Sequence, residues 1–153
     1  AVCVFSLEES LYELLKKKFP GADFCHTSLP FCTMALNKST EGAFIQYYEK
    51  SMELAIVKDQ KLALYNIFEL QDENDILYFI LNAFKLTGLD QATHPLFISG
   101  LLPKTSETIS LVGKYIKDIR FYATDYIILP EVGESPYPSH YFLNHREILN
   151  CEL

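Results

Sequence analysis

Two short stretches stand where a nucleotide would be held, the first as a phosphate turn and the second beside its adenosine. In YYEKSMELAIVK (residues 47–58) the turn Glu49-Lys50-Ser51-Met52 separates two alternating apolar runs, and Ser99-Gly100-Leu101-Leu102-Pro103 follows another apolar run. Such turns hold phosphate through backbone N–H groups, which approach closely only where side chains are small. Lys50 and Ser51 supply a cation and a hydroxyl. Glu49 opposes them, because its carboxylate repels a phosphate unless a divalent cation stands between. The first turn has no Gly, and the second has one Gly with two Leu beside it. Lys50 and Ser51, at the position of a phosphate turn, and Ser99 and Gly100, at that of an adenosine-binding segment, are the residues that would line a nucleotide cleft, and the missing glycines predict a cleft that is degraded. Lys and Ser are also ordinary residues of surface turns.

Glu49, Glu73 and Asp75 are the carboxylates a two-metal hydrolytic centre would draw on, with its ions about 4 Å apart. Glu73 and Asp75 are explained better by a helix N-terminus, which favours negative charge. The segment CHTSLPFC contains Cys25, His26 and Cys32, while His94, His140 and His145 lie elsewhere. Structural zinc uses two closely spaced ligand pairs, and only one loose cluster is present. If residues 22–30 form a strand, Cys25 and His26 point to opposite faces. Core thiols and surface histidines are therefore expected, with no metal site. No Gly-x-Ser-x-Gly elbow occurs, and Ser99 has no identifiable base. In SPYPSHYFLNH (135–145), Tyr137, Tyr141 and Phe142 offer contact area at low entropic cost, as at interfaces. The competing reading of that segment is a tail clamped over the sheet edge or core.

Positioning these groups requires a regular framework, and the patterning supplies one. AVCVF opens as a strand. Ser6 with Glu9 forms a capping box for a helix through Phe19, which presents Leu7, Leu11, Leu14 and Leu15 on one face and is stopped by Pro20-Gly21. Residues 22–30 are expected as a strand, and FCTMALNK is apolar but of ambiguous type. Three alternating runs follow at 43–49, 52–58 and 62–70, an antiparallel meander whose turns lack the usual Gly or Asn. Asp72 caps a helix bearing Ile76, Leu77, Ile80, Leu81 and Phe84 on one face, ending near Thr87-Gly88. HPLFISG is a strand covered on both faces. Thr105 or Ser106 caps another helix, with Ile109, Val112, Ile116 and Ile119 inward. FYATDYIIL (121–129) closes with one or two short strands.

The 153 residues suffice for one domain, which at that size buries roughly 70% of its unfolded surface. The net charge of -7 and the absence of any basic run longer than Lys16-Lys17-Lys18 argue against nucleic acid as partner. No run of 18 apolar residues is present to span a membrane as a helix. Cys3, Cys25, Cys32 and Cys151 have no framework spacing and are expected as buried free thiols in the cytoplasm. The start at Ala1, without Met, is read as part of a longer chain.

From residue 43 the order is strand, strand, strand, helix, strand, helix, strand. Right-handed crossovers then give a mixed sheet with flanking helices. This α/β order is the ribonuclease H-like topology, shared by ribonuclease H nucleases and by each lobe of actin-like ATPases. The stretch YNIFELQDENDILYFILNAFKLTGLD, the strand LFISG and the terminal CEL resemble domain-of-unknown-function family 3822 (DUF3822), bacterial proteins similar to actin-like ATPases. The resemblance implies two lobes: residues 1–41 would end a first lobe, 42–129 would form the second, and 130–153 would be a tail packed on it. It implies no established activity. A non-catalytic scaffold or regulatory module with a degraded nucleotide cleft is expected, without a cofactor. Its contacts would be with a protein partner, a missing N-terminal lobe or a second copy. The alternatives are a retained ATP binder, with Mg, completed by that lobe, and a metal-dependent nuclease of ribonuclease H type.

Overall fold

The computed structural model describes residues 3–122 and 138–143. Two helices come first, α1 (Glu9–Lys18) and α2 (Ser28–Asn37). The meander follows as β1 (Gly42–Tyr47), β2 (Ser51–Lys58) and β3 (Lys61–Glu69), then α3 (Glu73–Thr87), β4 (Leu96–Gly100), α4 (Glu107–Val112) and β5 (Ile119–Phe121). A 3-10 turn, Ser139–Phe142, closes the described part. The sheet order is β3-β2-β1-β4-β5, with β1, β2 and β3 antiparallel and β4 parallel to both β1 and β5. This is the mixed sheet expected for a ribonuclease H-like lobe.

The alternation of apolar residues sorts the sheet into two faces. Ala43, Ile45, Met52, Leu54, Ile56, Leu96 and Ile98 pack under Ile76, Ile80 and Phe84 of α3 and Val112 of α4. Phe44, Ala55, Val57 and Phe97 face the other way, onto Phe31, Met34 and Ala35 of α2. β4 is buried along its whole length, as its unbroken apolar run predicts. α3 begins as its sequence dictates: Asp72 accepts from Asn74 N–H, and Asp75 reaches back to complete a capping box. It ends at Gly88, whose φ of 67° is left-handed. Of the two candidate caps for α4, Ser106 is used, and its hydroxyl accepts from Ile109 N–H.

Four local expectations are corrected. Residues 3–8 form no strand: Val4 is 88% exposed, and a strand needs a ladder partner that none of the described residues supplies. α1 starts at Glu9 with Glu8 as N-cap and no side-chain cap, so Ser6 lies outside the helix it was expected to box. Residues 22–27 are not a strand either, and α2 takes over from Ser28. Its Pro30 sits in the first turn, where a missing N–H costs nothing, and the ambiguous apolar run becomes its core-facing side. The described thiols, finally, are free but not core residues: Cys3 is exposed, and Cys25 and Cys32 are half-buried. Among the described residues no helix is long and apolar enough to cross a membrane.

Candidate functional site

In a sheet of this kind a ligand crevice forms beyond the carboxyl ends of parallel strands, where strand order reverses. Here that place is the end of β1 and β4, where Tyr47 pairs with Gly100. β1 continues into the hairpin to β2, and the N-termini of α3 and α4 open to the same end. Glu73 ties the two helices, accepting from Thr108 Oγ1 at 2.6 Å. A recess of about 240 Å³ lies among Tyr47, Glu49, Asp72 and Glu73, and a second of about 450 Å³ among Glu73, Glu107, Thr108 and Lys114.

Of the four residues assigned to a nucleotide cleft, two lie on the hairpin and two are committed to the sheet. The hairpin turn is closed by its own backbone, with Tyr48 N–H donating to Ser51 O and Lys50 N–H to Tyr48 O. Glu49 takes the left-handed conformation at φ 67° that a glycine would otherwise take, and Tyr47 Oη donates to its carbonyl. Lys50 is exposed at the tip and Ser51 half-buried at the start of β2. Ser99 is sequestered: it is 1% exposed, with Oγ 2.8 Å from Ile45 O and 2.5 Å from the side-chain oxygen of Gln46. Gly100 serves the sheet, since an added Cβ would lie 2.2 Å from Tyr47 O.

The charge of the crevice is acidic. Tyr47 has its phenol pKa raised by burial first, then by the carboxylates of Glu73 and Glu49. A phosphate placed there meets the same field. The carboxylates do not assemble into a metal centre, because Asp75 is spent on Gln71 N–H at 2.8 Å and Asp72 N–H at 3.3 Å, and Glu73 on Thr108. Among the described residues no group of three or more His, Cys, Asp or Glu is placed to hold a metal ion.

The histidines are dispersed as well. His26 Nδ1 accepts from Ser28 N–H at 3.1 Å, and His94 lies 3.9 Å from Glu41. His140, expected at the surface, is in fact 1% exposed, with Nε2 bonded to Leu102 O at 3.0 Å and its ring edge-on to Phe121. That contact, with buried Leu143, seats the 3-10 turn on the sheet, so Tyr141 and Phe142 are half-buried. Tyr137, His145 and Cys151, like residues 123–129 expected as strand, lie outside the described residues.

Sequence reasoning missed one polar centre. Glu53, in the middle of β2, is 2% exposed and accepts hydrogen bonds from Tyr48 Oη (2.8 Å) and Tyr65 Oη (3.0 Å). Its signal was present: in MELAIVK an acid stands in register with Ala55 and Val57, which face the core. A carboxylate at such a position needs donors to offset its lost hydration.

The sheet order, the crossovers and the crevice at the β1–β4 end define the chain as an α/β protein of the actin-like, ribonuclease H-like class. A solved Bacteroides thetaiotaomicron protein, described as having an actin-like ATPase fold and unknown function, superposes with a TM-score of 0.75 at 19% identity. The match covers 95% of this chain and 52% of that one, so the chain spans about half the length of its structural neighbour. The chain belongs to the family of proteins of unknown function DUF3822, which matches residues 1–119. No curated protein matches it.

Proposed function

We propose that this chain is an actin-like lobe whose ancestral nucleotide crevice no longer handles phosphate, and that it works through protein contacts as a scaffold or regulatory module. The observation that carries the reading is the fate of the cleft residues: Ser99 is turned into the sheet, Gly100 is committed to β1–β4 packing, and Glu49 and Glu73 set the sign of the field. Helix α1 supports the second half. It has no buried residue, although Leu11, Tyr12 and Leu14 stand 40–51% exposed along it and Phe19 follows at 57%. Together with Val4, Phe5 and Leu7, these form an apolar stripe of the kind that packs against another protein surface. A preceding lobe or a second copy suits it.

The test is thermal unfolding of the full-length protein with and without Mg-ATP. No change in midpoint is expected. A rise of several degrees that disappears in Lys50→Ala would overturn the reading and restore the nucleotide-binding one.

A further inference from the structure

Two thiols far apart in the chain come close together on the α2 side of the sheet. Residues 3–5 run back along the entry to α2: Cys3 Sγ lies 3.6 Å from Ser28 Oγ, and the Phe5 ring centroid 6.1 Å from that of His26. Ser28 and Cys32 are one turn apart on α2, a spacing that puts two Cβ atoms about 5–6 Å apart on one side of a helix. Cys3, Ser28 and Cys32 accordingly line one hollow. A disulfide needs Cβ atoms roughly 4 Å apart. Cys3 therefore has only to pass from beside Ser28 to beside the residue one turn on. Residues 3–8 allow that movement, because they are exposed throughout and belong to no helix or strand.

The two sulfurs are unequally placed. Cys3 is exposed, whereas Cys32 is half-buried, and its thiol is pushed up to about 12 by burial first, then by Glu53 and by Cys3 itself. The thiolate is the reactive form, so an oxidant arriving from solvent meets Cys3 first. Cys32 is protected from direct oxidation, and its nearness to Cys3 offsets its small thiolate fraction in any reaction between the two.

We propose that Cys3 and Cys32 form a reversible disulfide in response to hydrogen peroxide. The Cys3 sulfur attacks a peroxide oxygen: the S–O bond forms, the O–O bond breaks, one water leaves and a sulfenic acid remains. The Cys32 sulfur then attacks the Cys3 sulfur. The S–S bond forms, the S–O bond breaks, and the departing hydroxide leaves as a second water with the proton of Cys32. The two thiols give up two electrons in all, and these reduce the peroxide to water. The bond encloses α1, which has no buried residue, in a covalent loop from residue 3 to residue 32. The disulfide itself is independent of the docking reading above. Its consequence rests on that reading: oxidation restrains the segment that carries the apolar stripe.

The test treats the full-length protein with hydrogen peroxide at neutral pH, once native and once unfolded in urea. Remaining thiols are blocked, and linked peptides are read by mass spectrometry without reduction. The native protein is expected to give a monomer lighter by two hydrogens, with Cys3–Cys32 as the dominant linked pair, and a dithiol reductant should reverse it. Unfolding should abolish that preference in favour of Cys25–Cys32, which closes the shorter loop. Cys3→Ser and Cys32→Ser should each lose the native product, and Cys25→Ser should keep it. A native product joined through any other cysteine, a disulfide between two copies, or oxidation that stops at Cys3 overturns the proposal. So does the same mixture of pairs in native and unfolded protein. Cys3 is exposed, so Cys3→Ser decides the matter if circular dichroism shows that Cys32→Ser does not fold.

Discussion

Gly100→Ala tests whether this residue belongs to a ligand site or to the sheet. Gly100 has φ +85°, where an L side chain is strained by about 1–2 kcal/mol. An added Cβ would sit 2.2 Å from Tyr47 O and 2.6 Å from Tyr47 N, both backbone atoms of the paired strand. Neither can swing aside as a side-chain tip would. Relief requires β1 and β4 to separate at their ends, which threatens the bond from Leu101 N–H to Tyr47 O. Forced overpacking of this kind costs a further 1–3 kcal/mol or so, giving a loss of about 3 kcal/mol or more. Two other positions calibrate the result. Gly88 shares a positive φ, but its added Cβ would meet only the flexible Lys58 amine at 3.3 Å, so Gly88→Ala should cost about 1 kcal/mol. Gly21 has no heavy atom within 4 Å of such a Cβ, and Gly21→Ala should be nearly neutral on steric grounds. Urea unfolding of the three variants gives the ranking. A Gly100→Ala protein that loses less than Gly88→Ala refutes the steric argument and would return Gly100 to the candidate ligand residues.

Two further outcomes follow from single residues. Asp72→Ala removes the side-chain acceptor for Asn74 N–H and should cost about 1 kcal/mol in urea unfolding, while Ser6→Ala, outside any helix, should cost nothing measurable. His140 has its pKa lowered from 6.5, by burial first, so the unfolded chain takes up a proton that the folded one resists. The sign follows: stability is fully present above pH 6.5 and is lost as pH falls from there toward the lower folded value. His140→Gln should flatten that stretch of the stability–pH curve, and an unchanged slope would contradict the assignment.

Strand and helix order from residue 43 was legible because each element carries its own period. The meander alternates, α3 repeats at helical spacing between Asp72 and Gly88, and β4 is an unbroken apolar run. Errors fell where a segment's state depends on what lies beside it. AVCVF has strand composition but no ladder partner among the described residues. Residues 22–30 read as a strand running to Pro30, which instead sits in the first turn of α2. The thiols of CHTSLPFC read as core by residue type, whereas the path of residues 3–8 and α2 leaves them at the margin.

The candidate site divides in the same way. The lack of glycine in EKSM is a property of the chain, and so is the excess of acid near α3. Whether Ser99 faces a ligand or the sheet interior is a question of which face its strand parity places inward. That parity is fixed by β1 and β4 pairing across more than fifty intervening residues, with Gln46 against Ser99. Glu53 shows the converse: its position in an apolar strand is visible in one dimension, but Tyr48 and Tyr65 reach it only through the folded meander. Local patterning thus determined the elements, their order and the weakness of the phosphate turn. The tertiary structure alone decided which polar groups are sequestered and which share a cavity, because hydrogen-bond partners distant in sequence meet only when the sheet closes.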